Sequence, residues 1–310
     1  MRSYTHVKIH PSYLFITDFL STLPDRFVTE GKVIYEGRNI LKLYTVDGLE
    51  LVVKRFKVPF WINRIAYSFV RKSKACRSYE YSLKILEKGL RTAQPIGYIE
   101  KYAGGLLSES YYISMYEKDM ETVREYVAEN SPQYQLFRKA FAEYTAKMHE
   151  MEIMHIDYSP GNILVKEQNK DFIFSLVDVN RMKFQRVSFQ TAYKNFARLS
   201  TSREALNEIS SHYARFRKFD VKKFVICTTQ YSDNYFRQYA FRLAYKQWKR
   251  ENHSWFTQPR FRYLYYRQMS SFFWLTRKAR AHFTQKNYAL YNRYIKMYDF
   301  RQVLHPESKD

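Results

Sequence analysis

The strongest constraint on this chain is a polar segment that runs from His155 to Asn162 and lies just before a short apolar run. Asp157 and Asn162 are five residues apart, so a single loop can direct both side chains at one point. Asp178 follows the next apolar run and can add a second carboxylate. This set suits phosphoryl transfer, in which one carboxylate faces the attacking hydroxyl while an amide and a carboxylate bind metal. The alternative is a polar loop between two strands.

The segment upstream has the pattern of a small antiparallel sheet. Residues 39–46 and 49–56 predict two strands, and the Asp47-Gly48 pair between them is a strong signal for a tight hairpin. Residues 33–35 predict a strand before them, and Lys54 lies near the end of the third strand. A lysine at this place in the small lobe of kinases holds the nucleotide phosphates.

A helix is predicted after these strands. Residues 73–88 place apolar side chains at helical spacing, and Gly89 stands where a helix commonly ends. Glu80 lies near the edge of the apolar face, where its carboxylate can face the sheet and pair with Lys54. An exposed helix charge is the alternative for Glu80, but the lysine upstream favours the ion pair.

Five polar residues therefore follow one another in the order that kinases use: Lys54, Glu80, Asp157, Asn162 and Asp178. The chain around them resembles the lipopolysaccharide kinase (Kdo/WaaP) family from about Val33 to Arg198. Six segments carry the resemblance: Arg38-Asn39, Val53-Lys54-Arg55-Phe56, Arg71-Lys72-Ser73-Lys74-Ala75, Arg77-Ser78-Tyr79-Glu80, Asp157-Tyr158-Ser159-Pro160-Gly161-Asn162 and Asp178-Val179-Asn180-Arg181.

The resemblance implies an α+β protein-kinase-like fold of two lobes, a small antiparallel-sheet N-lobe and a mostly helical C-lobe, with ATP and Mg²⁺ between them. It implies that Lys54 contacts the ATP phosphates and that Glu80 orients Lys54. It assigns the catalytic carboxylate to Asp157, and Mg²⁺ binding to Asn162 and Asp178. The family phosphorylates Kdo or heptose of the lipopolysaccharide inner core. Aminoglycoside and choline phosphotransferases share the loop pattern, so the loop alone indicates a superfamily and no single substrate.

The chain departs from the protein-kinase pattern at the nucleotide turn. A G-x-G-x-x-G sequence is absent, and Gly37 is the only glycine of the turn, so a nucleotide-binding turn and a plain hairpin are equal interpretations. The metal-binding aspartate is followed by Val179-Asn180 in place of Phe-Gly, which argues for a small-molecule or sugar kinase. Residues Met115 to Lys118 are expected to form the hinge beside adenine. The lobes are predicted at residues 1–116 and 117–310.

His155 and the two cysteines complete the interpretation of individual residues. His155 is interpreted as a support for the loop, since the matching histidine of kinase loops packs and hydrogen-bonds more often than it acts as a base. Cys76 and Cys227 fall on separate predicted elements and indicate neither a disulfide framework nor a metal cluster. No apolar run reaches transmembrane length and the N-terminus lacks a signal pattern, so a cytoplasmic enzyme is expected.

Charge is concentrated in the C-terminal part of the chain. The formal net charge is +22, and from Asn252 to Tyr298 there is no acidic residue. Residues 260–280 alternate cations with aromatic side chains, a pattern that suits an anionic membrane surface, a phosphorylated glycolipid or nucleic acid. An aromatic helical core with a solvated basic face is the alternative. The absence of finger spacings or an RNP-like strand argues against nucleic acid.

The sequence thus predicts an ATP-dependent kinase that phosphorylates Kdo or heptose of a lipopolysaccharide or lipid A precursor at the inner face of the cytoplasmic membrane. Two alternatives stay open. The first is a related kinase that acts on protein, RNA or another small molecule. The second is a catalytically silent scaffold that binds anionic membrane or nucleic acid, and the glycine-poor turn is the one feature in its favour. The exact sugar and hydroxyl, and the oligomeric state, are left undetermined.

Overall fold

The computed structural model describes residues 3–58, 71–128, 132–169, 171–200 and 202–251. The chain divides into two compact units, residues 1–229 and residues 230–310. The described part of the second unit is the continuation of the last helix. The basic aromatic stretch 260–280 lies outside the described residues.

A six-stranded antiparallel sheet forms the first part of the larger unit. Its strand order is β1-β5-β6-β4-β3-β2. The predicted hairpin at Asp47-Gly48 is confirmed, because both residues have positive φ angles, 48° and 77°, and join β3 to β4. The strands are β1 (Tyr4–Ile9), β2 (Lys32–Glu36), β3 (Ile40–Val46), β4 (Leu49–Phe56), β5 (Pro95–Ala103) and β6 (Leu106–Met115).

Two helices accompany this sheet. Helix α1 (Thr17–Arg26) buries Leu20 and Leu23 in an apolar core that it shares with the strands. Helix α2 (Lys74–Glu87) begins at Ser73, whose hydroxyl accepts a hydrogen bond from the Cys76 amide at 3.0 Å. The helix ends at Gly89 as predicted, with a φ of 79°. On the sheet-facing side Ser82 and Tyr112 of β6 share a hydrogen bond of 2.9 Å.

The following part is richer in helices and has its own core. The Phe137 and Phe141 side chains of α4 stack with ring centroids 5.5 Å apart, and Phe174 of β10 packs against both. The elements are β7 (Glu121–Thr122), α3 (Arg124–Ala128), α4 (Gln135–Glu150), β8 (Ile153–His155), β9 (Ile163–Gln168), β10 (Asp171–Leu176), β11 (Met182–Phe184), α5 (Phe189–Asn195), α6 (Arg203–Phe216) and α7 (Val221–Glu251).

Two short sheets position the loop that carries the predicted site. Strands β10, β9 and β7 form one sheet, and β11 pairs with β8 in the other. The loop between β8 and β9 contains Asp157 and Asn162, and Asp178 lies just after β10. In the antiparallel pairing of β9 and β10, Leu176 at the end of β10 lies opposite Ile163 at the start of β9. The residues after β10, including Asp178, therefore lie next to the loop that precedes β9.

The predicted α+β fold is confirmed, with the antiparallel sheet first and the helix-rich part after it. The lobe boundary between residues 116 and 117 stays a prediction; it falls directly after β6. Among the described residues, no helix has both the length and the apolar character needed to cross a membrane.

Candidate active site

A cleft of about 490 Å³ lies between the six-stranded sheet and the loop after β8. Residues from three predicted groups line it. Lys54 comes from the sheet, Met115 from the end of β6, and Asn162 and Asp178 from the opposite side. Four of the sequence-predicted site residues are thus brought to one cavity, whereas Gly37, Glu80 and Asp157 are not among the residues that line it.

An ion pair joins the two sides of the cleft. Lys54 Nζ lies 2.7 Å from Asp178 Oδ1, and the Lys54 side chain is only 12% exposed. Burial by itself raises the pKa of the Asp178 carboxyl, but the charge of Lys54 and its hydrogen bond outweigh that effect and hold the pKa below its usual value. Asp178 is therefore a carboxylate at neutral pH.

The backbone at Asp178 is unusual. Its φ of 56° is left-handed, a conformation that non-glycine residues seldom adopt. The Asn180 side-chain amide donates a hydrogen bond to the Asp178 carboxylate, and the Val177 amide donates to the Asn162 carbonyl at 3.0 Å. These bonds fix the turn so that the Asp178 and Asn162 side chains face the same cavity.

The predicted Lys54–Glu80 ion pair is wrong for this structure. Glu80 Oε1 lies 2.5 Å from Lys72 Nζ, while the ammonium of Lys54 pairs with Asp178. The Glu80 side chain is 38% exposed, and Lys72, which precedes α2, reaches it from outside the helix. Whether Glu80 has a catalytic role stays a prediction.

Asp157 lies between two arginines. Arg198 Nη1 donates to Asp157 Oδ1, and Arg181 Nη1 is 3.7 Å from Oδ2. The Asn162 amide donates to the Asp157 carbonyl at 2.8 Å, which links the two ends of the loop. Arg198 carried no signal in the sequence, since it lies 41 residues from Asp157.

His155 is buried and supports the loop. The Asp157 amide donates to His155 Nδ1 at 3.1 Å, so Nε2 carries the proton that points at the Val177 carbonyl, 3.1 Å away. Burial lowers the pKa of His155 to about 4, which leaves the ring neutral at physiological pH. The structure favours the interpretation of His155 as a support.

A buried hydrogen-bond chain extends this support into the helical core. Asn195 of α5 donates to the His155 carbonyl at 2.8 Å, and its own carbonyl faces His149 Nε2 at 3.2 Å. His149 Nδ1 bonds the Tyr213 hydroxyl of α6 at 2.8 Å. Three helices thus hold the β8 end of the catalytic loop, through residues that sequence reasoning missed.

Stability below about pH 6.5 is expected to depend on His149. Burial lowers the pKa of His149 to about 3, whereas a histidine of the unfolded chain titrates near 6.5. As the pH falls through this window, only the unfolded state gains the proton, so the free energy of unfolding falls by about 1.4 kcal/mol per pH unit. His149→Gln removes this contribution, and urea unfolding between pH 7 and pH 4 should show a shallower decline.

A core substitution without a titratable group provides the control. Phe141→Leu changes packing only, so its unfolding curve should lie below the wild-type curve by a constant amount at every pH. A His149→Gln curve parallel to that of wild type would contradict the assignment of the acid sensitivity to His149.

Basic residues from the segments that carry the family resemblance gather around Lys54. Lys54 and Lys74 both lie over the Phe56 ring, 5.3 Å and 6.0 Å from its centroid. Burial and then the nearby charges of Arg38 and Arg77 lower the pKa of Lys74. This gathering of cations around one carboxylate creates a positive potential that suits phosphate groups.

The remaining predicted residues lie at the rim. Met115 lines the cleft, and its amide donates to the Gln94 carbonyl at 2.9 Å. Gly37 closes the β2–β3 turn by donating to the Asn39 carbonyl at 3.1 Å, and its neighbours Tyr35 and Arg38 line the cavity. The turn thus belongs to the cleft wall despite its single glycine.

The Arg124 side chain lies against the loop at Gly161. A Cβ at residue 161 would lie 2.6 Å from Arg124 Nη2, so a larger residue there would displace the end of this arginine. Arg124 also lines the cleft. The sequence offered no signal for Arg124, because it comes from α3 and approaches the loop only in the fold.

The sheet, the helix-rich part and the cleft between them define a protein-kinase-like fold. The chain belongs to the lipopolysaccharide kinase (Kdo/WaaP) family, whose model matches residues 45–224, more than half of the sequence. The resemblance found in the sequence is confirmed, and the match extends beyond Arg198 into α7.

The chain is also similar to individual known proteins. The chain is 26% identical over 125 residues to a 3-deoxy-D-manno-octulosonic acid kinase of Mannheimia succiniciproducens, a match that covers 38% of this chain and about half (49%) of the relative's length. A solved structure of WaaP in complex with acyl carrier protein superposes with a TM-score of 0.52 at 15% identity, covering 74% of this chain and 98% of WaaP. A Rio2 kinase from Chaetomium thermophilum gives a TM-score of 0.40 at 13% identity, covering 71% and 68%.

Proposed function

We propose that this protein is an ATP-dependent kinase that phosphorylates a hydroxyl of Kdo or heptose in the inner core of lipopolysaccharide. The observation that carries the proposal is the Lys54–Asp178 pair in a cleft that Asn162 also lines, with Asp157 on the same loop as Asn162. Membership in the lipopolysaccharide kinase family supports the substrate class.

The nucleotide is proposed to bind with adenine near Met115 and phosphates near Lys54 and the Gly37 turn. Asn162 and Asp178 would hold Mg²⁺, and the donor set fits this ion. Mg²⁺ prefers oxygen ligands and is commonly held by one or two carboxylates together with substrate phosphates. The described residues contain no group of three or more His, Cys, Asp or Glu side chains that could hold a metal, so phosphate oxygens would complete the coordination. Bound Mg²⁺ would neutralise phosphate charge during transfer.

Asp157 is proposed to act on the acceptor. Its carboxylate would orient the sugar hydroxyl and accept its proton as the hydroxyl oxygen forms a bond to the γ-phosphorus and the bond to ADP breaks. Lys54 would neutralise phosphate charge at the same time. Glu80 is proposed to help to orient Lys54, although its carboxylate contacts Lys72 in this structure.

The acceptor is proposed to be an anionic glycolipid at the inner face of the cytoplasmic membrane. The described chain carries basic residues beside the cleft, and the sequence adds the cationic and aromatic stretch 260–280. Phosphates and acyl chains of a lipid A precursor would match both parts of that pattern.

The test measures ATP turnover by the full chain with Mg²⁺, with and without a lipid A precursor that carries Kdo. Stimulation by the acceptor, with phosphate found on the sugar, is the expected result. Nucleotide binding without transfer to Kdo or heptose acceptors would overturn the substrate and leave a kinase for protein or another small molecule. Absence of nucleotide binding would overturn the proposed activity and favour a silent scaffold.

A further inference from the structure

We propose that Arg181 and Arg198 bind a carboxylate of the acceptor and thereby select an acidic sugar such as Kdo over a neutral heptose. The inference rests on the proposed function and narrows its substrate. Its basis is the arrangement at Asp157, whose two carboxylate oxygens each face a different arginine.

The two arginines are held in place by their backbones. The Arg181 carbonyl accepts a hydrogen bond from the Ile156 amide at 2.9 Å, so Arg181 stays beside the loop that carries Asp157. Arg198 ends a short 3-10 helix, Phe196–Arg198, and lies between the buried residues Ala197 and Leu199. Each guanidinium therefore extends from a fixed point toward Asp157.

Two guanidinium groups face the single carboxylate of Asp157, so one of them, Arg181, is not needed to balance its charge. Arg181 is 56% exposed on its side chain and touches Asp157 only at 3.7 Å, which is a long ion pair. A guanidinium has five N–H donors and matches a carboxylate with two parallel hydrogen bonds. It can therefore bind a second anion while it remains beside Asp157.

Geometry then relates the anion to the reacting sugar. The hydroxyl that loses its proton to Asp157 lies within hydrogen-bond distance of that carboxylate. A carboxylate on the same sugar ring would lie a few bonds away and so falls within reach of Arg181 and Arg198. A heptose without phosphate has no such anion, whereas Kdo is a sugar acid.

The experiment compares two acceptors with the full-length enzyme. One is a lipid A precursor that ends in Kdo, and the other is the same glycolipid with the Kdo carboxylate converted to a neutral amide. For wild type, KM for the amide is expected to be about 10- to 100-fold higher, the range for losing a hydrogen-bonded charge. For Arg181→Gln, KM for the acid is expected to rise and its preference over the amide to shrink, because one of the two guanidinium groups that bind the carboxylate is gone.

Two further variants separate recognition from positioning. Lys183→Gln removes an exposed cation two residues from Arg181 and should retain the wild-type preference for the acid. Arg198→Gln can also misplace Asp157 and lower kcat, so Arg198→Lys is included, and it should restore kcat and part of the preference by restoring the charge. The proposal is overturned if wild type uses both acceptors equally, or if Arg181→Gln lowers kcat while preserving the preference.

The outcome is distinguishable from failure of the proposed function. If wild type transfers phosphate to neither acceptor, binding of free Kdo and of its amide, measured by titration with ADP and Mg²⁺ present, still tests the arginines. Tighter binding of the acid by wild type, with a smaller difference between acid and amide in Arg181→Gln, would support the proposal. The proposal would be overturned if the affinity for the acceptor fell when the lipid A phosphates were removed but did not change when the Kdo carboxylate was converted to an amide. The arginines would then bind phosphate.

Discussion

Replacing Asp157 by asparagine is expected to lower kcat by about 100- to 10,000-fold, the range over which a positioned acid or base accelerates proton transfer. Asparagine has the shape of aspartate but cannot accept the hydroxyl proton. The main-chain bonds that place residue 157, from its amide to His155 and from Asn162 to its carbonyl, do not need the carboxylate. Initial-rate assays with saturating ATP and acceptor measure the loss.

Two controls accompany this variant. Asp171→Asn makes the same chemical change at an exposed position at the start of β10 and should leave turnover unchanged. The affinity of Asp157→Asn for ATP should stay near that of wild type, because Asp157 is not among the residues that line the cleft and Lys54 is paired with Asp178. Wild-type turnover by Asp157→Asn would refute the catalytic role of this carboxylate.

Local patterns were sufficient to predict the parts of the site that lie next to strand ends. Lys54 lies on a strand of the six-stranded sheet, and Asn162 and Asp178 flank two paired strands on the opposite side of the cleft. The positions of these residues relative to the strand ends were therefore sufficient to assign each one to its side. The burial of Lys54 and its ion pair with Asp178 were visible only in the structure. The cavity contains Lys54, Asn162 and Asp178 as the pattern suggested.

Contacts that depend on the tertiary arrangement were beyond the sequence. Glu80 pairs with Lys72, eight residues before it, and only the fold shows that this lysine and not Lys54 is its partner. Arg198 and Asn195 come from segments about 40 residues after the loop and carry no motif. Strand β1 pairs with residues 97–102 of β5 at the far edge of the sheet, a register that no local pattern specifies.

The second large effect is expected at the Lys54–Asp178 pair. Asp178→Ala should lower kcat/KM for ATP by about 100- to 1,000-fold, the scale of losing one preorganised electrostatic group. The variant loses the proposed Mg²⁺ ligand and leaves the largely buried ammonium of Lys54 without the carboxylate 2.7 Å away. Thermal unfolding should therefore show a lower Tm as well. Steady-state kinetics with varied ATP and Mg²⁺ measure the first effect.

Two further variants distinguish the charge of Asp178 from its side-chain volume, and the contribution of Asp178 from that of Glu80: Asp178→Asn and Glu80→Gln. Asp178→Asn keeps the side-chain volume but removes the charge, so it should retain more of the Tm than Asp178→Ala while losing comparable activity. Glu80→Gln should cost less, about tenfold or below in kcat/KM, because Glu80 forms a partly exposed ion pair with Lys72 and is not among the residues that line the cleft. If Glu80→Gln instead matched Asp178→Asn, the working enzyme would use the Lys54–Glu80 pair that the sequence predicted, and the Lys54–Asp178 pair would be an arrangement that gives way when nucleotide binds.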